Sequence, residues 1–215
     1  MGAAVRKQYL LLADKPIVCH TLAVFDACPC IQAIYLVVPP DDLKTRSGKW
    51  ISSLGLHKDC HLVAGGAERQ DSVYLGIQAA WTRGCEIVVI HDAVRPFVSP
   101  AIIEACVSEA RVSGACIVGM RAMETAKQVN SGHIERTLDR NAIWMAQTPQ
   151  AFHLDLIRTA HEKARTDGFT GTDDAMLVER LGHKVRIIAG SRLNMKITTP
   201  EDLILAQGIL QRMSS

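Results

Sequence analysis

The chain has 215 residues, of which 48% are hydrophobic and 21% charged, and this ordinary composition excludes disordered, collagen-like and coiled-coil proteins. Its 24 basic and 22 acidic side chains leave a net charge of +2, too near balance for a nonspecific nucleic-acid binder. The sequence contains no apolar run of the roughly 18 residues that a membrane helix needs and no secretory pattern. We therefore expect a cytoplasmic protein with neither nucleic-acid nor membrane partners.

The first half of the sequence alternates between strand and helix patterns. Short apolar runs at residues 33–38 and 86–90 predict strands buried on both faces, as in a parallel sheet. After them, apolar residues recur at helical spacing, for example at Val73 and Ile77. This alternation predicts βαβ units, and the length fits a single α/β domain over residues 1–215.

A different pattern begins near residue 123. Alternating residues at 125–129 and 133–138 flank the turn sequence Asn130-Ser131-Gly132, which predicts a hairpin. Its polar edges indicate a β-arm, at about 123–148, that projects from the sheet. We then expect helices at 154–164 and 174–181, a strand at 184–188, and a last helix with Thr199 as N-cap and Pro200 in its first turn.

Seven cysteines lie scattered in apolar segments, which is typical of reduced, buried thiols rather than of a disulfide framework. The one cluster, His20 with Cys28 and Cys30, lacks the two paired spacings of a zinc site. We interpret it as an incidental loop.

A glycine pair follows the predicted strand at 60–63 and precedes a helix, in the segment Gly65-Gly66-Ala67-Glu68-Arg69-Gln70-Asp71-Ser72. Glycines let the backbone approach a ligand closely, and the free N–H groups at a helix start favour an anion or a base carbonyl. An ordinary tight turn remains the alternative.

Asp92 lies just beyond the predicted strand at 86–90, in the segment His91-Asp92-Ala93-Val94-Arg95-Pro96. Ligands of open α/β sheets bind outside the carboxyl ends of the strands, and acids at this edge can bind Mg²⁺ of a nucleotide. The alternative is a structural pair between Asp92 and Arg95 that closes a turn.

The remaining polar candidates are individually weak. Lys7 and Lys196 could each be a solvated lysine. Arg140 and Thr148 could form a phosphate clamp, and a surface turn closed by Asp139 and Arg140 is the equal alternative. The segment Thr172-Asp173-Asp174-Ala175 is explained by an acid that caps a helix, without any chemistry. The sequence has neither a Gly-x-Ser-x-Gly elbow nor a Walker loop, which argues against serine hydrolases and P-loop ATPases or GTPases.

Taken in order, however, these motifs resemble the 2-C-methyl-D-erythritol 4-phosphate cytidylyltransferase family over nearly the whole chain. The matching segments are Lys7-Gln8-Tyr9, Gly65-Gly66-x-x-Arg69-x-x-Ser72-Val73, His91-Asp92-Ala93-x-Arg95-Pro96, Glu124-Thr125-x-Lys127, Asp139-Arg140-Asn141-x-x-Trp144, Gln147-Thr148-Pro149-Gln150, Thr172-Asp173-Asp174-Ala175 and Asn194-Met195-Lys196-Ile197-Thr198-x-Pro200-Glu201-Asp202. The resemblance implies a Rossmann-like nucleotidyltransferase fold, with a mostly parallel sheet flanked by helices and a β-hairpin arm that clasps a partner in a homodimer. It also implies Mg²⁺-dependent transfer of CMP from CTP to a polyol phosphate, methylerythritol phosphate, with release of pyrophosphate in non-mevalonate isoprenoid biosynthesis.

The resemblance further implies roles by position. These are catalysis at the α-phosphate for Lys7 and Lys196; CTP binding for Gly65, Gly66, Ala67, Ser72 and Asp92, with Asp92 also the metal ligand; and polyol phosphate binding for Thr125, Arg140 and Thr148. The arm would carry Arg140 and Thr148 into the partner's site.

The family pattern opens with a strand and a glycine-rich loop before the Lys-Gln-Tyr segment, whereas this sequence begins at Met1-Gly2-Ala3. The resemblance therefore implies that this strand, this loop and one catalytic arginine are missing from the sequence. Two alternatives remain open: a cytidylyltransferase for another polyol phosphate, such as ribitol 5-phosphate, and a non-catalytic nucleotide-binding dimer.

Overall fold

The computed structural model describes residues 6–45 and 53–213, with the side chains of residues 44 and 45 left out. The start of the chain, from Met1 to Val5, lies outside the described residues. The strands are β1 (Leu11–Leu12), β2 (Lys15–Pro16), β3 (Ala33–Val38), β4 (Asp59–Ala64), β5 (Ile87–Ile90), β6 (Ala115–Arg121), β7 (Lys127–Asn130), β8 (His133–Thr137), β9 (Trp144–His153) and β10 (Arg186–Ala189). The helices are a 3₁₀ turn (Lys7–Tyr9), α1 (Ile17–Ala27), α2 (Pro40–Thr45), α3 (Arg69–Trp81), α4 (Pro100–Ser113), α5 (Leu154–Thr166), α6 (Asp174–Arg180) and α7 (Pro200–Met213).

The main sheet has four strands in the order β10-β6-β9-β5. β10 is parallel to β6, whereas β9 runs antiparallel to both β6 and β5. β3 and β4 form a separate parallel pair. The predicted fold class, an α/β fold with a mostly parallel sheet flanked by helices, is confirmed, and β9 is the strand that runs against its neighbours.

β3 and β5 border a cavity of about 650 Å³, which α1 and α3 also line. The sequence predicted that both strands would be buried on both faces. Most of their residues are instead only partly buried, because they face this cavity. In contrast, the first five residues of β6 are all buried.

Helix ends follow the local sequence. At the start of α4 the Ser99 hydroxyl accepts a hydrogen bond from the Ile102 N–H, and Pro100 occupies the first turn. The helix ends at Gly114, whose φ of +84° is a left-handed conformation that favours glycine. Within the described ranges 6–45 and 53–213, no helix is long and apolar enough to cross a membrane.

The largest buried cluster joins the main sheet to the helices that follow it. Phe152 of β9 and Ile157 of α5 are fully buried beside Leu177 of α6 and Ile77 of α3. Each such side chain contributes roughly 1.5–3 kcal/mol relative to exposure. This packing fixes the main sheet against α3, α5 and α6.

The predicted hairpin is confirmed as the antiparallel pair β7 and β8, with a turn at Ser131 and Gly132 that have φ values of +47° and +80°. Every residue of both strands is exposed. The hairpin therefore extends away from the core of its own chain.

Candidate active site

Asp92 lies at the carboxyl end of β5, where three cationic side chains surround its carboxylate. Its Oδ2 atom is 3.1 Å from Lys196 Nζ and 3.0 Å from Arg95 Nε, and its Oδ1 atom is 3.8 Å from Arg69 Nε. Burial acts to raise the pKa of the Asp92 carboxyl, but Lys196 and then Arg95 outweigh it, so this pKa lies below its usual value. Asp92 is therefore ionised at neutral pH.

The backbone around Asp92 is held as firmly as its side chain. The Thr148 hydroxyl, on β9, accepts a hydrogen bond from the Asp92 N–H at 3.1 Å. Arg95 N–H donates to the Asp92 carbonyl, which closes the turn, and the Arg95 guanidinium also donates to the Asn194 carbonyl at 2.9 Å. The structural pair weighed from the sequence thus exists, and the same turn presents Asp92 to the site.

The segment that carries Lys196 is anchored on both sides. Buried Asn194 donates to the Thr148 carbonyl at 2.8 Å, and Ile197 N–H donates to the Val94 carbonyl at 2.9 Å. Beyond it, the Thr199 hydroxyl accepts a hydrogen bond from the Asp202 N–H at 3.2 Å, as predicted for the N-cap of α7, and the Asp202 carboxylate accepts from the backbone N–H groups of residues 198 and 199. These contacts hold Lys196, whose side chain is 42% exposed, between fixed points.

A cavity of about 200 Å³ lies at this edge of the sheet, lined by Asp92 and Lys196 together with Gln8, Tyr9 and the end of β3. Lys7 begins the 3₁₀ turn whose next two residues line this cavity, and its side chain is exposed. The structure thus brings Asp92 and Lys196 into direct contact and places the Lys7 segment beside them.

The glycine loop lies between β4 and α3. Gly65 N–H donates to the Val38 carbonyl at 2.7 Å, and Gly66 N–H donates to the Ser72 hydroxyl oxygen at 3.1 Å. A Cβ at Gly65 would lie 2.8 Å from Ser72 Oγ, and one at Gly66 would lie 2.4 Å from Asp71 Cβ. Both glycines are thus required by the packing of the turn itself, and exposed Ala67 lies next to them.

Arg69 connects this loop to Asp92 and to α6, a connection that the sequence analysis missed. Its Nη2 atom is 2.7 Å from Oδ2 of Asp174, a carboxylate that is 1% exposed. Burial alone would lower the pKa of Arg69, but Asp174 and then Asp92 raise it above its ordinary value. The sequence did contain a signal, the two successive acids at 173 and 174. Asp173 caps the helix by accepting a hydrogen bond from Met176 N–H, so the cap leaves Asp174 unexplained.

The residues expected to hold the polyol phosphate separate into two places. Arg140 donates to the Met123 carbonyl at 3.2 Å, and both Arg140 and Thr125 are exposed at the base of the hairpin. Thr148 is instead buried in β9, beside Asp92 of its own chain. The expectation that the arm carries Thr148 into a partner's site is therefore wrong, because β9 has already joined the main sheet at this residue.

The site offers few metal ligands of its own. Over the part of the chain that the structure describes, there is no group of three or more His, Cys, Asp and Glu residues that could hold a metal ion. Mg²⁺ at nucleotide sites, however, is typically bound by one or two carboxylates plus substrate phosphates. Asp92, ionised and with Oδ1 beyond hydrogen-bond distance of Arg69, fits that requirement.

Comparison with known proteins agrees with this geometry. Residues 1–212 match the family model described as 2-C-methyl-D-erythritol 4-phosphate cytidylyltransferase. The protein of that name from Syntrophotalea carbinolica is 49% identical over 210 residues, which are 98% of this chain and 90% of that one. The one from Syntrophus aciditrophicus is 49% identical over 99% of this chain and 91% of its own length.

Solved structures give the same result. The crystal structure of 4-diphosphocytidyl-2C-methyl-D-erythritol synthase from Anaerococcus prevotii superposes with a TM-score of 0.88 at 30% identity, covering 98% of this chain and 92% of that one. The 2-C-methyl-D-erythritol 4-phosphate cytidylyltransferase from Thermus thermophilus gives 0.81 at 31% identity, covering 95% and 93%. Because the family model matches residues 1–212 of the 215 in this chain, the chain belongs to the 2-C-methyl-D-erythritol 4-phosphate cytidylyltransferase family.

Proposed function

We propose that this chain transfers CMP from CTP to 2-C-methyl-D-erythritol 4-phosphate, giving the CDP-methylerythritol and pyrophosphate in non-mevalonate isoprenoid biosynthesis. The observation that carries the proposal is the contact between Asp92 and Lys196 on a cavity at the carboxyl edge of the sheet. The names of the relatives favour this substrate over another polyol phosphate and over a non-catalytic dimer.

The reaction joins a phosphate oxygen of the substrate to the α-phosphorus of CTP and breaks the bond to the β-phosphate, which leaves as pyrophosphate. A phosphate monoester, with a second pKa of about 6, is already largely dianionic at pH 7, so the nucleophile needs no general base. The main barrier is the repulsion between two anions, and cationic side chains lower it by neutralising the α-phosphate. Lys196 and Lys7 take this role.

Asp92 would hold the Mg²⁺ through Oδ1, the oxygen not occupied by Lys196 and Arg95. When bound, the ion neutralises charge on the triphosphate and so lowers the repulsion that the incoming phosphate meets. The Lys196 ammonium forms an ion pair with Asp92, and the α-phosphate of bound CTP would be its second anionic partner.

The loop of Gly65, Gly66 and Ala67 would bind cytidine. Its position supports this role, because the loop leads directly into α3, whose first residue, Arg69, lies beside Asp92. Thr148, whose hydroxyl accepts a hydrogen bond from Asp92 N–H, would bind the polyol phosphate in the active site of its own chain.

Thr125 and Arg140 would bind the polyol phosphate of a partner subunit, which makes the functional unit a homodimer built through the hairpin. Support comes from their exposed position on an element that extends away from its own core. Among the described residues of one chain, neither side chain forms a hydrogen bond or ion pair with Asp92, and Arg140 donates instead to the Met123 carbonyl, so a second chain would supply the missing neighbour.

Lys196→Ala tests the catalytic proposal. We expect the kcat for pyrophosphate release to fall about 10²-fold, the usual effect of removing one electrostatic donor, with CTP affinity much less affected. Lys184→Ala removes an exposed lysine just before β10 and is the control. An unchanged kcat for Lys196→Ala would exclude Lys196 from the chemistry.

Mixing two impaired variants tests the shared site, with methylerythritol phosphate kept well below its KM so that both defects lower the rate. A heterodimer of Lys196→Ala and Arg140→Ala subunits has one site with both defects and one with neither if Arg140 acts across the interface. Equal mixing should therefore restore about a quarter of the original activity, since half of the random dimers are mixed and each has one intact site. No recovery, with dimers present, would place Arg140 at its own chain's site.

A further inference from the structure

Arg69 lies between two carboxylates that belong to different elements. Its Nη2 atom is 2.7 Å from Asp174 Oδ2, whereas its Nε atom is 3.8 Å from Asp92 Oδ1. Only the first is a hydrogen-bonded ion pair, because 3.8 Å exceeds the donor–acceptor distance of a hydrogen bond. Asp174 therefore holds the guanidinium, and Asp92 receives a weaker, longer-range attraction.

Asp174 is surrounded so that it binds a cation strongly. It is 1% exposed, and its second oxygen lies 3.1 Å from Nε2 of fully buried His161. A buried carboxylate without a cationic partner is strongly unfavourable. Asp174 thus competes effectively with Asp92 for Arg69.

The two oxygens of Asp92 differ in what surrounds them. Oδ2 contacts both Lys196 and Arg95 at hydrogen-bond distance, whereas Oδ1 faces Arg69 across 3.8 Å. If Arg69 moved about 1 Å closer, it would form an ion pair with Oδ1 as well. That oxygen would then be covered by a positive charge, which repels a divalent cation.

We propose that Asp174 is a positioning residue that holds Arg69 away from Asp92 Oδ1 and so keeps that oxygen open to a divalent cation. The proposal rests on the proposed function, since it concerns the cation that accompanies CTP. It explains why the helix start has two acids in succession: Asp173 accepts the capping hydrogen bond, and Asp174 binds Arg69.

Asp174→Asn keeps the shape of the side chain and removes its charge. Of its two ion-pair partners Arg69 then keeps only Asp92, and it closes on Oδ1. We expect the affinity for the Mn²⁺ complex of CTP, measured calorimetrically, to fall about tenfold, the size of one charge-assisted contact, while the affinity for CTP in EDTA changes less than about twofold. Mn²⁺ is the probe because it favours the same oxygen ligands as Mg²⁺.

The double variant Arg69→Gln with Asp174→Asn separates positioning from a general structural effect. Removing the guanidinium removes the group that closes on Asp92, so the Mn²⁺-dependent part of the CTP affinity should return. Asp167→Asn, which removes a carboxylate from an exposed ion pair with Lys163 and Arg180, is the charge-matched control.

Two results would overturn the proposal: an equal loss of affinity with Mn²⁺ and with EDTA in Asp174→Asn, or no recovery in the double variant. If Asp174→Asn does not fold, Arg69→Gln alone decides the question, because it should bind the Mn²⁺ complex at least as tightly as the unsubstituted chain, and weaker binding contradicts the proposal. A chain that binds CTP but is insensitive to Asp174→Asn contradicts only this inference, whereas a chain that binds no CTP removes the proposed function and this inference with it.

Discussion

The two halves of the proposed site differ in how completely one chain builds them. Around Asp92, ion pairs and backbone hydrogen bonds from β9, α3 and the 194–197 segment fix both the carboxylate and the segment that carries Lys196. At the base of the hairpin, Arg140 is exposed and donates to a single carbonyl, that of Met123. A group that must neutralise charge in the transition state benefits from such rigidity, because it then needs no reorganisation during the reaction. Within the ranges 6–45 and 53–213, the hairpin end has no comparable support from its own chain.

This contrast predicts that substitutions near Asp92 change stability and catalysis together. Substitutions in the hairpin should leave the stability of a single chain almost unchanged.

The largest stability effect is expected at His91, directly beside Asp92. Burial is the main cause that lowers the pKa of His91 from 6.5 to about 4, and Nε2–H donates to the Arg95 carbonyl at 3.1 Å. Between about pH 4 and about pH 6.5, His91 binds a proton in the unfolded chain but not in the folded chain. Stability is therefore complete above about pH 6.5 and is lost as the pH falls towards 4, by roughly 2 kcal/mol between about pH 7 and about pH 4.5.

Urea unfolding of His91→Gln at several pH values checks this expectation. The unfolding free energy of the variant should fall by about 2 kcal/mol less than that of the unsubstituted chain as the pH is lowered, although the variant can be less stable at neutral pH. His133→Gln removes an exposed histidine of the hairpin and is the matched control. An unaltered pH dependence in His91→Gln would contradict the burial argument.

Arg140→Ala should affect binding rather than folding. Losing one charge-assisted hydrogen bond to a phosphate corresponds to about a tenfold rise in the KM for methylerythritol phosphate. The KM for CTP should stay the same, because the cytidine loop and Asp92 lie elsewhere. A rise in the KM for CTP instead would mean that the hairpin base serves the nucleotide, and steady-state kinetics with each substrate varied in turn distinguish the two.

Asp202→Ala tests the anchor of the segment that carries Lys196. Hydrogen bonds from the N–H groups of residues 198 and 199 and from the Thr198 hydroxyl lower the pKa of this carboxyl. Removing such a cap typically destabilises a protein by about 1 kcal/mol. The stabilisation is present above the unfolded pKa of about 4 and is lost as the pH falls through the lowered value, so the variant and the unsubstituted chain should converge in acid. Equal melting temperatures at pH 7 would show that the cap does not stabilise α7.

Much of this arrangement could be predicted from local sequence. The Thr199-Pro200 start of α7 and the Ser131-Gly132 turn are specified by residues close together in the chain, and so is the position of Asp92 after β5. The partnership of Arg69 with Asp174, 105 positions apart, could not be predicted, because it depends on how α3 and α6 pack. For the same reason the sequence placed Thr148 with the arm, since only the pairing of β9 with β5 and β6 shows which end of that strand enters the sheet.

The smallest effect is expected in the hairpin itself. Arg136 donates to the Gln128 side chain at 2.8 Å, and both residues are exposed. Contacts of this kind contribute little because water competes for both partners and ordering the side chains opposes them, so Arg136→Ala should change the unfolding free energy by less than about 0.5 kcal/mol. It also serves as the control for Arg140→Ala, since it removes an arginine from the same element. If Arg136→Ala clearly lowers stability, and the loss grows with protein concentration, Arg136 lies in the interface between subunits. The difference between a rigid Asp92 region and a weakly supported hairpin would then hold for the single chain but not for the dimer.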